Sequence, residues 1–196
     1  MALDKALFTG RLFRIYSGID DAFREAADHY GFSCDGCEDN CCRTVFYHYT
    51  LIEYFGLLEG FDRLPARIRD ESMQKGRAYL DKLAQGRGGE EGLDLMCPLN
   101  FDGLCRIYEH RPLICRIHGF PGRFDHPAKG SQRFTGCKVF NETCSKEWTH
   151  LIDRTPFYVG IADIEGRLRR ALNHTARFRK TIAEMLIERD LYDRCA

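Results

Sequence analysis

The chain lacks a surplus of charge of either sign. Lys and Arg total 29, Asp and Glu total 29, and the formal net charge is zero. Such a chain has no bulk attraction to nucleic acid or to an anionic membrane. Lysine is scarce, with 7 Lys against 22 Arg. Arg keeps its charge and presents a planar fork of donors, which suits pairing with buried or clustered anions. Long apolar runs are missing too, and no stretch nears the roughly 20 residues that span a bilayer. The N-terminal MALDKALFTGRLFRIYSG has no unbroken apolar core of the secretory kind. The expected location is therefore cytoplasmic. No H-E-x-x-H, G-x-G-x-x-G or Ser–His–Asp arrangement appears, and there is no internal repeat or low-complexity tail.

Against these absences, ten cysteines in 196 residues are an excess. The length fits a single domain, 1–196, able to bury a real core without help from a metal. In a reducing compartment, clustered thiols point to metal binding or redox chemistry; in an oxidising one the same ten would read as five disulfides.

The chain reads as mainly α with a few short strands, a small α+β fold with irregular Cys-rich loops joined around a metal site. Residues 1–18 are weakly patterned. Ile19, Phe23, Ala26, Ala27 and Tyr30 share a helical face over 20–31. Arg43 to Tyr49 reads as a strand. Thr50 and Glu53 mark a helix start, ending near Gly60. Pro65 opens a further helix that stops at Gly86. The run 86–92, GRGGEEG, is a loop, and Leu93 to Met96 a short strand. Residues 119–136 are dense in Gly and Pro and read as an irregular loop. A short helix is expected through Trp148, Leu151 and Ile152, broken by Pro156. A C-terminal helix is expected over about 160–190, its apolar stripe facing the core or, less simply, a dimer seam.

The cysteines form two groups. Cys34, Cys37, Cys41 and Cys42 lie in CDGCEDNCC, and Cys97, Cys105 and Cys115 in CPLNFDGLCRIYEHRPLIC. A close cluster plus distant partners is how thiolate sites for zinc or a [4Fe–4S] cluster are commonly supplied. The first group is otherwise polar, so its cysteines do not read as buried apolar residues. All seven are candidate ligands, more than the four one simple site needs. Either two metals bind, or one site takes four and the rest pack around it. In an extended backbone Cys41 and Cys42 would face opposite ways. Cys137 and Cys144 could add a pair, with an ordinary role as an equal alternative; Cys195 reads as a free thiol. Arg106, Arg111 and Arg116 flank the second group and would offset thiolate charge. His118 is a weaker ligand candidate, and His48 and His110 weaker still.

The pattern C-x2-C-x3-CC, followed by C-x7-C and YEHRPLICR, resembles the YkgJ-type cysteine-cluster family. The residues that carry the resemblance are Cys34, Cys37, Cys41, Cys42, Cys97, Cys105, Cys115 and Arg116, with Tyr108, Arg111 and Pro112 between them. The match covers about 34–118 and implies chelation of zinc or iron. A similar cysteine module occurs in the flagellin lysine N-methylase, a longer protein. The primary expectation is thus a metal-binding protein. The alternative is an enzyme using the cluster, methylase-like or redox. A thiol oxidoreductase acting through Cys34 and Cys37 needs a βαβ context that the flanking sequence does not offer. No nucleic-acid or membrane partner is expected.

Overall fold

In the computed structural model, residues 5–34, 37, 41–85, 95–144, 148–189 and 192–193 are described. They form a mainly helical protein with two small sheets. Helix α1 runs from Lys5 to Tyr30 without a break. It replaces the weakly patterned stretch and shorter helix expected there. Its buried side is Thr9, Leu12, Tyr16, Ile19 and Ala26. The spacing of this stripe is helical, but Thr9 and Tyr16 are polar enough to hide it in sequence.

Helix α2, Leu51–Asp62, begins where expected: the Thr50 side chain accepts from the Glu53 N–H at 3.4 Å. Leu51, Ile52, Tyr54, Phe55, Leu57, Leu58 and Phe61 are all buried, so this helix is apolar on nearly every face. It is the centre of the core, and each such side chain contributes about 1.5–3 kcal/mol of burial. α1 packs on one side of it and α6 (Thr155–Leu172) on another. Helix α3, Ala66–Gln85, follows Pro65 as expected and packs against α7 (Ile182–Ile187).

Other expectations are corrected. Between Arg43 and Tyr49 the strand shrinks to one antiparallel bridge, His48 to Lys180, preceded by a 3-10 turn at Cys41–Arg43. Residues 86–94, with the expected loop and the start of the expected strand, lie outside the described residues; Leu95 and Met96 are irregular. The 119–136 stretch is not an irregular loop. It holds a hairpin of β3 (Gly122–His126) and β4 (Gly130–Phe134), with Gly130 at φ 70° where the turn enters β4. Instead of a helix through Trp148 and Ile152, the chain has α5 (Lys138–Thr143) and then β5 (Ile152–Asp153), which pairs parallel with β3. Pro156 does not break a helix but sits in the first turn of α6, where a missing N–H costs nothing.

The helix expected over about 160–190 is two helices. α6 ends at Asn173, which adopts the left-handed conformation (φ 49°, ψ 40°), and α7 begins at Ile182. The apolar stripe is used inside the chain: Ile161, Ile164, Leu168, Phe178, Met185 and Leu186 are buried in the main core. No described helix is long and apolar enough to cross a membrane.

Candidate metal centre

The two cysteine groups meet through the backbone: the Cys97 N–H donates to the Cys42 carbonyl at 2.9 Å. Cys41 and Cys42 sit in a 3-10 turn, so a turn and not an extended strand sets their directions. Cys97 precedes, and Cys105 ends, a tight hairpin of β1 (Asn100–Phe101) paired with β2 (Leu104–Cys105). Its loop residues Asp102 and Gly103 both have positive φ, 55° and 84°. Asp-Gly is the dipeptide that such a two-residue turn favours, a local signal that identifies this hairpin from sequence. Cys115 lies in helix α4, Leu113–Ile117. The Glu53 carboxylate accepts the Leu113 N–H at 2.9 Å, which fastens the start of α4 to α2.

These supports bring five thiols to one cavity of about 70 Å³, lined by Cys41, Cys42, Cys97, Cys105 and Cys115. Phe46, Tyr79, Leu99, Ile107 and Ile182 supply much of the remaining apolar wall. The volume admits an ion or a small cluster. Cys34 and Cys37 do not line it. They share a turn, Cys37 N–H to Cys34 carbonyl at 3.2 Å, and Cys34 lies near enough for its charge to act on Cys41. Cys137 and Cys144 stand elsewhere, at the two ends of α5, packed against Phe120 and Phe140. Cys137 Sγ accepts the Phe140 N–H at 3.4 Å, a capping role. Cys195 lies outside the described residues.

Burial and mutual proximity set the electrostatics of the five thiols. A side-chain hydrogen bond links Cys41 and Cys42. The Cys41 thiol holds Cys42 down to about 6, helped by the Asn100 side chain and Arg111, while the same contact and burial push Cys41 up. Burial pushes Cys97, Cys105 and Cys115 up, and the charges of neighbouring cysteines raise each further. Thiols this close and this dry cannot all ionise unless a cation stands among them. A soft divalent ion is the partner that all-sulfur donors select. The residues present fit zinc or iron. Among the described residues, no group of three or more His, Cys, Asp or Glu side chains is drawn together closely enough to hold a metal ion as they stand. The cavity is a convergence of thiol donors from two segments.

The three flanking arginines divide. Arg111 lines the cavity and lowers Cys42, Cys105 and Cys115. Arg116, although adjacent to Cys115, turns the other way: it is buried, pairs with Asp20 on α1, and donates to the carbonyls of Arg111 and Glu109. Its guanidinium lies 4.2 Å from the centre of the Tyr16 ring. Arg106 points outward to Asp102 at 3.7 Å. His118 packs edge-on against Phe46, and His110 is held by the Gly56 carbonyl on α2. His48 lines the cavity. Sequence reading gave little weight to His48 and none to Asn100, Tyr79 or Ile182, which reach the site only through the fold.

A cavity walled by thiols from two distant segments defines a cysteine-cluster protein. The chain belongs to the CxxCxxCC family, described as "Putative zinc- or iron-chelating domain", which matches residues 33–145. A comparison with curated proteins and one with solved structures each found no significant match.

Proposed function

We propose that this protein binds zinc or iron through the thiolates that line the cavity. One observation carries the reading: Cys41 and Cys42 from one segment and Cys97, Cys105 and Cys115 from another wall the same 70 Å³ space. Cys34 and Cys37 complete the candidate set of seven, as outer donors near Cys41. The bound metal supplies positive charge that lets several thiols ionise together. The chain's own part is to hold those thiols in place, keep water out with an apolar wall, and offset residual negative charge with Arg111.

The test is anaerobic purification followed by metal analysis and a visible spectrum. Stoichiometric zinc in a colourless protein, or iron with broad thiolate-to-iron absorbance, supports the reading and distinguishes the two metals. Cys105→Ala should release the metal, since the groups share one site. A folded, metal-free protein with all thiols free, unable to take up either metal, overturns it.

A further inference from the structure

His48 is the one imidazole that lines the thiol cavity. Its residue is 2% exposed, and its Nε2 is buried with no hydrogen-bond partner among the described residues. Buried polar atoms normally have partners, because an unpaired one costs its full desolvation. Phe46, Ile182 and Ala183, which line the same cavity, carry no hydrogen-bonding side-chain group, and the hydroxyls of Thr44 and Tyr79 on that lining make no hydrogen bond to Nε2. Nor is the ring placed there loosely. The His48 N–H donates to the Lys180 carbonyl at 2.8 Å, and the Lys180 N–H donates back at 3.0 Å. This reciprocal pair fixes the backbone on which the imidazole stands.

We propose that His48, through Nε2, is a nitrogen ligand of the zinc or iron centre, which therefore has a mixed sulfur and nitrogen donor set. The proposal rests on the metal-binding reading above. A neutral imidazole offers a ring nitrogen lone pair to zinc or iron, and an Nε2 without a hydrogen-bond partner has that lone pair or its proton unused. Charge balance agrees. Four thiolates around a divalent ion leave −2, whereas three thiolates and a neutral imidazole leave −1. Arg111 is the single permanent cation among the residues that line the cavity, and it matches the smaller charge. In an apolar setting the smaller net charge costs less to bury. Three Cys and one His is also an established zinc donor set.

X-ray absorption at the metal edge of the full, untagged, metal-loaded chain tests this directly. The expected result is a shell containing nitrogen at about 2.0–2.1 Å besides sulfur at about 2.3 Å, with the outer-shell pattern of an imidazole. In His48→Gln that pattern should vanish, and competition with a chelator should show metal affinity at least about tenfold weaker. His48→Cys should restore affinity with an all-sulfur shell. A wild-type shell of sulfur alone, or an imidazole pattern that persists in His48→Gln, overturns the proposal while leaving the thiolate centre intact. A wild-type chain that takes up no metal overturns both.

Discussion

Arg116 and Asp20 form an ion pair that ties the helix bearing Cys115 to the first helix of the chain. The Arg116 side chain is 1% exposed and Asp20 30%. Asp20 also stands 3.7 Å from Arg111, the cation of the thiol cavity. One carboxylate therefore positions both arginines.

Removing Asp20 leaves a buried guanidinium without its counter-charge. Breaking such pairs costs about 3–5 kcal/mol when both partners are buried; with Asp20 partly exposed and two carbonyls still on Arg116, Asp20→Ala should cost about 2–3. Urea unfolding of the two proteins measures it. A loss within about 0.5 kcal/mol would mean that the carbonyls alone satisfy Arg116.

Two glycines give opposite predictions for the same substitution. A Cβ at Gly60 would lie 2.5 Å from Cβ and Cγ of His110, whose ring is pinned by the Gly56 carbonyl at 3.0 Å. The overlap outweighs the roughly 1 kcal/mol of helix propensity gained, so Gly60→Ala should be destabilising by about 1–2 kcal/mol. At Gly10, in α1, nothing lies within 4 Å of an added Cβ. Gly10→Ala should therefore stabilise by about 0.5–1 kcal/mol. Thermal melts of both variants check the pair, and equal shifts would contradict the packing described.

Glu53 carries a pH signature. Burial raises its carboxyl above the ordinary value of 4.5, against the lowering effect of its bonds from Thr50 and Leu113. A raised acid binds its proton more tightly in the folded state. Its contribution is thus full below the unfolded pKa and is lost as pH rises through the folded one. The amide introduced by Glu53→Gln would keep an acceptor oxygen for Leu113 without a charge to bury. The stability of Glu53→Gln relative to wild type should therefore increase from pH 4 to pH 7, measured by urea unfolding across that range. A difference that stays flat with pH would show that Glu53 titrates normally.

Thr181 starts α7 with a capping box: its side chain accepts the Glu184 N–H, and the Glu184 carboxylate accepts the Thr181 N–H. Ile182 and Ala183, the next residues, line the thiol cavity. Thr181→Ala should cost about 1–2 kcal/mol, since the residue is buried as well as capping. Loosening this wall should also speed metal loss to a chelator. Unchanged stability and release would remove α7 from any part in closing the site.

The sequence determined by itself what depends on near neighbours. The Thr50–Glu53 start of α2 and the Pro65 start of α3 were legible because caps act over three or four residues. Membership of the cysteine-cluster family was legible too, because its thiols recur at short, fixed spacings in CDGCEDNCC. The tertiary structure decided the rest. Thr9 and Tyr16 face inward on α1 only because the helices packed against it cover them, so the helix looked shorter and weaker than it is. A left-handed Asn173 ends α6 inside a stripe whose apolar residues on both sides enter one core, and period alone cannot show such a break. That Arg111 lines the cavity while Arg116 is buried against Tyr16 and Asp20 depends on α1, which is far away along the chain. Likewise, Cys41, Cys42, Cys97, Cys105 and Cys115 could be grouped from their spacing. That these five face one space with His48, while Cys34 and Cys37 stand outside it, follows from contacts between distant segments, which no local pattern encodes.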